Sequence, residues 1–302
     1  MGHPHTSFST FLSTMVSKDD PDSSRWWSEK TIVAVTGGNK GIGFALVKRL
    51  AELGLTVILT CRDESRGREA VEKLKEQGFH VEFFHLDVVV QSSIEAFVTW
   101  LTATFGGLDI LVNNAAVSFN EINENSVEHA ETVIKTNFYG PKLLTEALLP
   151  LFRRSETISR VFNISSRLGL LNVSNPVVRE ILENEEKLSQ KGIDFVVNRF
   201  LEDVKIGLWK DEGWPKVWTD YSVSKLALNA YSRLLAKRFE KHRLSINCFC
   251  PGFTQTGMTQ GRGIHTADTA AEVGAKLILL PPNKLPTGVF FSGSKPFLYS
   301  NL

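Results

Sequence analysis

Tyr221 and Lys225 stand four residues apart, so a helix would place a phenol and an ammonium on one face. A tyrosine with a pKa of about 10 is a poor acid–base catalyst at neutral pH, and a neighbouring cation stabilises its phenolate. The pair alone is unspecific, because any amphipathic helix can carry it. Other polar side chains join it at the ends of apolar runs. Ser165 closes RVFNIS (160–165), Asn113-Asn114-Ala115-Ala116 follows LDILVN (108–113), and Asn137 ends a helical pattern. Groups so placed can hydrogen-bond an oxygen on which charge develops.

Thr36-Gly37-Gly38-Asn39-Lys40-Gly41-Ile42-Gly43 follows the β-branched run TIVAVT (31–36). It leads into a helical pattern with Ile42, Ala45, Leu46, Leu50 and Leu53 on one face. Glycines let the backbone turn tightly and approach a pyrophosphate, whose charge the helix N-terminus stabilises. The spacing is G-x-x-x-G-x-G, not the G-x-G-x-x-G fingerprint, and a structural turn is the competing reading. The next apolar run, TVILT (56–60), ends in Cys61-Arg62-Asp63. An acidic residue at that place holds a ribose 2′-hydroxyl, and an arginine accepts a 2′-phosphate. Arg62 and Lys40 together predict NADPH; the competing readings are a solvated Arg62 and an Asp63 that caps a helix.

The elements that must position these groups alternate. Strands are predicted at 31–36, 56–60, 81–86, 108–113, 160–165, 244–249 and 287–292, with helices between them. Nearly unbroken apolar strands separated by helices predict a doubly wound α/β (Rossmann) fold, a seven-stranded parallel sheet with helices on both faces. Such a sheet binds ligands beyond its strands' carboxyl ends, where these motifs fall. With 42% hydrophobic residues the 302-residue chain can bury a large core. Thirty-four basic against 33 acidic residues give a net charge of +1, without the basic footprint of a nucleic-acid binder. No apolar run approaches the roughly 18 residues of a membrane span. Three cysteines suit a reducing compartment, so a cytoplasmic location is expected.

Residues 1–29 are expected to be a disordered N-terminal extension, with a transit peptide or a myristoylated Gly2 as competing readings. Residues 30–302 are expected to form one catalytic domain. His80 and His85 read as structural, and His265 as a loop-surface residue. Cys248 and Cys250 lack a partner pair for a metal, so none is expected. Trp209, Trp214 and Trp218 fit either core or a pocket wall.

The combination of glycine loop, Asn113-Asn-Ala-Ala116, Asn137, Ser165, Tyr221-x-x-x-Lys225 and Pro251-Gly252 resembles the short-chain dehydrogenase/reductase family over residues 30–292. The glycine-loop details, Cys61-Arg62-Asp63 and the long stretch before Tyr221 are similar to plant carbonyl reductases of that family. The resemblance implies that Tyr221 donates a proton to a carbonyl oxygen as hydride arrives, while Ser165 hydrogen-bonds the same oxygen. Lys225 would lower the tyrosine pKa and bind the nicotinamide ribose, and Asn137 would hold a water for proton exchange. Gly37, Asn39, Lys40, Gly41, Ile42, Gly43 and Arg62 would hold the phosphates. Asp87 would contact the adenine, Asn113 the adenosine side, and Pro251, Gly252 and Thr256 the nicotinamide. Ala116 departs from the family's usual glycine and would tighten the cofactor floor.

The expected activity is therefore NADPH-dependent reduction of a ketone or aldehyde on a bulky apolar small molecule. C=C reduction, an NAD-dependent alcohol dehydrogenase and a non-catalytic cofactor-sensing protein are the alternatives. Ser165 and Tyr221 lie 56 positions apart, far beyond an ordinary connection of about 2–6 residues. An insertion at about 172–217 is expected to fold as helices. One carries Val178, Ile181, Leu182 and Leu188; a second, capped by Asp194, carries Val197, Phe200, Leu201, Val204 and Leu208. It is expected to act as a flap over the substrate and to cover the association surface of relatives, leaving a monomer.

Overall fold

The computed structural model describes residues 25–120, 124–154, 157–171 and 173–297. Among these, the strands are β1 Ile32–Thr36, β2 Thr56–Cys61, β3 Glu82–His85, β4 Ile110–Asn113, β5 Ser159–Ile164, β6 Leu244–Cys250, β7 Phe290–Ser292 and β8 Lys295–Phe297. They form one sheet in the order β3-β2-β1-β4-β5-β6-β7-β8, parallel throughout except that β8 pairs antiparallel with β7. The sheet thus has one strand more than the seven expected. β8 is three residues long, follows a turn at Gly293 (φ 59°) and contains Pro296, so it shows no apolar alternation. An edge position tolerates the proline.

The helices are α1 Gly41–Glu52, α2 Glu64–Lys75, α3 Gln91–Phe105, α4 Val127–Ile134, α5 Gly140–Leu148, α6 Pro176–Glu183, α7 Gln190–Lys205, α8 Thr219–Phe239 and α9 Ala267–Ile278. Strand periodicity divides the core between the two faces of the sheet. In β1, Val33 and Val35 join α1, α2 and α9, whereas Ala34 joins α3, α4, α5 and α8.

Residues 25–29, expected to belong to the tail, pack against this body. The Arg160 guanidinium is buried and donates to the carbonyls of Ile278 and Leu280, with the Trp26 ring lying over it at 3.7 Å. Trp26 Nε1 donates to the Leu279 carbonyl and Trp27 Nε1 to that of Leu53. A buried cation bonded to carbonyls gains from an aromatic face, which anchors the segment. The readings made for residues 1–24 lie outside the described residues.

The insertion folds as the helices α6 and α7. Asn175 caps α6 by accepting from Val177 N and Val178 N, with Pro176 in the first turn. Ser189, not Asp194, caps α7; Asp194 lies one turn inside and accepts from Gln190. Helix α7 ends at Lys205, leaving Leu208 exposed, and Leu188 lies between the helices. Val178, Leu182, Ile193, Val196, Val197, Phe200, Val204 and Trp214 are buried in one cluster with Ala130, Ile134, Val223 and Leu226. The apolar stripes therefore pack on α4 and α8, and the insertion forms an outer layer there. Buried Asp203 ties the return loop by accepting from Arg199 and from Trp214 Nε1. Sandwiched between sheet and insertion, α8 buries residues on every face, polar Ser222, Ser224, Asn229 and Ser232 among them.

Candidate active site

The strand order reverses between β1 and β4, and the sequence motifs lie beyond the carboxyl ends of these strands. Gly37 (φ 63°) and Gly41 (φ 55°) carry the turn into α1. A Cβ at Gly43 would lie 2.3 Å from the Gly37 carbonyl oxygen, so no larger residue fits that approach of helix to loop. Asn114 fixes the loop, its Nδ2 donating to the carbonyls of Thr36 (2.9 Å) and Gly37 (3.1 Å). Helix α1 has no acidic residue in its first turn, leaving its positive end available to an anion. A loop with glycine at positions 37, 38, 41 and 43, meeting a helix N-terminus, fits a dinucleotide pyrophosphate.

The register pairs Thr36 with Thr60, and Gly38 N donates to the Thr60 carbonyl, so the loops after β1 and β2 run side by side. Lys40 and Arg62 are both exposed there. Asp63 caps α2 through Arg66 N and pairs with Arg66 Nε at 3.2 Å, an engagement that turns it from a ribose toward its own helix. His85 bonds the Arg62 carbonyl at 3.0 Å. Asp87 accepts from Val89 N and is half-buried at the end of β3. Asn39 and Ile42 are half-buried in the glycine loop. Asn113 behaves differently from expectation. Its side chain turns into the interior and donates to Thr145 and to Asn163, while Asn114 occupies the rim.

Tyr221 sits in the first turn of α8, its half-buried ring edge-on to Trp218 at 6.3 Å. The serine that meets it is Ser166, whose side chain hydrogen-bonds the phenol. Ser165 is 2% exposed and donates to Asn229 Oδ1 at 2.6 Å, so its hydroxyl is committed to the interior. Alternation along β5 explains the correction: Asn163 and Ser165 both point into the interior and bond Ser232 and Asn229 further along α8, whereas Ser166, past the end of the strand, meets Tyr221 in the first turn of that helix.

Lys225 Nζ donates to the Ile164 carbonyl at 2.9 Å and lies 5.6 Å from the Tyr221 ring centroid. Burial pulls its ammonium down to about 8, opposed by the thiols of Cys248 and Cys250. Burial also pushes the Tyr221 phenol above its ordinary value, with Cys250 adding to this and the Ser166 bond opposing it. That direction is opposite to the expected depression, because desolvation by burial is the largest cause.

Asn137 lies in a π turn, Lys135–Tyr139, that joins α4 to α5. Its amide is committed to both polar atoms of the Val117 backbone and to Ser224 Oγ. Its carbonyl lacks an α-helical donor, since the residue four positions on is Pro141.

The sequence profile of the short chain dehydrogenase family matches residues 31–178 and 212–283, and the stretch left between them falls in the insertion. The chain belongs to the short chain dehydrogenase family. It is 39% identical over 282 residues to (+)-neomenthol dehydrogenase of Arabidopsis thaliana, covering 85% of this chain and 94% of the relative. It is 36% identical over 279 residues to carbonyl reductase [NADPH] 1 of Mus musculus, covering 89% and 98%. The solved structure of salutaridine reductase from Papaver somniferum superimposes with a TM-score of 0.82 at 37% identity, covering 86% and 99%.

In this short chain dehydrogenase the far wall of the cleft is the loop after β6. Half-buried Pro251 precedes Gly252 (φ 82°), where a Cβ would meet His265 at 2.9 Å. His265 thus lies against the turn with its side chain exposed, a loop-surface position. A Cβ at Gly41 would lie 3.4 Å from Thr256 Cγ2, so this loop faces the glycine loop. Asn120 Nδ2 donates to the Met258 carbonyl, linking the loops after β4 and β6. Of the three tryptophans, Trp214 is core, Trp209 packs against it from the return loop, and Trp218 stands beside Tyr221.

Proposed function

We propose that this chain is an NADPH-dependent carbonyl reductase acting on a ketone or aldehyde of a bulky apolar small molecule. The observation that carries the reading is the Ser166–Tyr221 hydrogen bond beside Lys225 at the rim. The chain is an oxidoreductase acting on carbonyl and alcohol groups, and its cofactor is NADP(H), in keeping with the similarity to carbonyl reductase [NADPH] 1. Gly37, Gly41 and Gly43 leave room for the pyrophosphate at α1, and Lys40 and Arg62 would pair with the 2′-phosphate.

When bound, NADPH supplies a hydride. The chain's own residues then handle charge and protons. A phenol pushed up by burial is protonated at neutral pH and can donate to a carbonyl oxygen becoming an alkoxide. Ser166 would donate to that oxygen as its charge grows. Lys225, its ammonium pulled down to about 8 by burial, would return the proton to Tyr221, and the Asn137 carbonyl would hold the water that resupplies it.

A panel of bulky cyclic ketones, linear ketones and aldehydes, followed by NADPH absorbance, tests the reading. Turnover of the bulky apolar members is expected; NADPH oxidation by none of them would overturn it.

Cofactor choice gives a second expected result. Charge-assisted contacts contribute roughly 1.5–3 kcal/mol each, so NADPH should be preferred over NADH by at least about tenfold in kcat/KM. Arg62→Ala should erode that preference through KM for NADPH while NADH kinetics barely change. Equal use of both cofactors by the unaltered protein would contradict the assignment.

A monomer is part of the same proposal. The exposed faces that α4 and α8 would offer a second copy are covered by α6 and α7 of the same chain. Light scattering should give about 34 kDa, the mass of one 33.7 kDa chain; twice that value would contradict the claim.

A further inference from the structure

Helix α8 reaches the end of β5 through a third side chain beyond Tyr221 and Lys225. Tyr221, Lys225 and Asn229 repeat at i, i+4 and i+8, one row along one face. Tyr221 meets Ser166, and Lys225 meets the carbonyl of Ile164. Asn229 spans the stretch on both sides of Ser166. It accepts from Ser165 Oγ at 2.6 Å, and its Nδ2 donates to the Gly169 carbonyl at 2.9 Å. Both Asn229 and Ser165 are 2% exposed, so neither bond competes with water.

Between these two clamps Ser166 has little freedom. Its Oγ accepts from Leu168 N at 3.1 Å, which leaves its hydroxyl hydrogen for the phenol. The turn 167–169 is pressed on α8, since a Cβ at Gly169 would lie 2.4 Å from the Lys225 carbonyl carbon. An amide suits this place because one side chain must both accept and donate; an ionised carboxylate can only accept, and an alkyl group does neither.

We infer that Asn229 is a positioning residue that fixes the Ser166 hydroxyl against Tyr221. The inference rests on the reading of Tyr221 as proton donor. Asn229 reaches the reaction only through the segment that carries Ser166. A displacement of about 1 Å at such a hydroxyl can lower turnover by about 100-fold, so a buried clamp there bears on rate as well as on stability.

The test is a double-mutant cycle on a ketone that the enzyme reduces, together with the crystal structure of Asn229→Leu. Asn229→Leu should lower kcat about tenfold, with KM for NADPH within about twofold. Ser166→Ala should then cost far less in the Asn229→Leu background than in the wild type, because the hydroxyl removed is already misplaced. Ser165→Ala, which deletes the partner without overpacking, should give a similar loss and carries the test if Asn229→Leu fails to fold. Ser232→Ala breaks a bond of the same helix to Asn163, one turn further from the rim, and should lower thermal stability without changing kcat.

A fully additive cycle, with Asn229→Leu lowering only the melting temperature, would overturn the inference and leave the reductase reading intact. If the wild type reduces no ketone, that reading fails, and the crystal structure alone decides. Loss of the Ser166–Tyr221 hydrogen bond in Asn229→Leu supports the positioning role; its retention overturns it.

Discussion

Tyr221→Phe should lower kcat by about 10²–10⁴ and leave the NADPH dissociation constant within about threefold. The substitution removes one oxygen from the first turn of α8 and keeps the ring that packs edge-on against Trp218. Its effect should therefore fall on proton transfer, not on folding. The buried phenol is held protonated, and its hydroxyl meets Ser166, so a carbonyl oxygen placed there would find donors already aligned. Lys225→Met should behave differently. It removes a cation assigned both to proton return and to the nicotinamide ribose, so kcat and NADPH affinity should fall together. Stopped-flow turnover and cofactor fluorescence separate the two effects. A Tyr221→Phe protein that keeps more than about a tenth of wild-type kcat would refute the assigned role.

Ser166→Ala should lower kcat by about 10²–10³, the loss typical of one donor to a developing oxyanion. Ser165→Ala should cost about tenfold, since Ser165 acts only through Asn229. The two residues are neighbours of one type, and only their direction differs. Ser165 turns into the interior toward α8, and Ser166 turns toward the phenol. Steady-state kinetics of the two alanine variants, each checked for a wild-type circular dichroism spectrum, rank them. A larger loss for Ser165→Ala would place the oxygen-facing hydroxyl on the wrong residue.

Much of this architecture is legible in the residues. The βα alternation, the glycine loop and the helical spacing of Tyr221 and Lys225 follow from periodicity and local sterics, which a sequence displays directly. The strand β8 does not, because three residues with a lysine and a proline leave no period to read. The choice of Ser166 over Ser165 was available in the alternation from Asn163 through Ser165, but only if the strand's inward face is known. Asn113 and Asn114 pose the same problem: the first completes a strand and faces inward, the second starts the rim loop. The insertion shows a different limit. Its apolar stripes announce helices, yet a stripe states that something is covered and not what. Here the partners are α4 and α8, so deleting 176–214 would uncover the core that these two helices share. Burial is also invisible in spacing, which is why the Tyr221 phenol shifts upward where a nearby lysine suggested the reverse.

The central claim is delivery of hydride to a carbonyl carbon, and a cyclic enone tests it most directly because one molecule offers both competing acceptors. The purified protein should be incubated with the enone and NADPH deuterated at the transferring position of C4, and the product examined by NMR. The account predicts an allylic alcohol with deuterium on the carbinol carbon and the C=C bond intact. A saturated ketone with deuterium on the carbon β to an untouched carbonyl would contradict it.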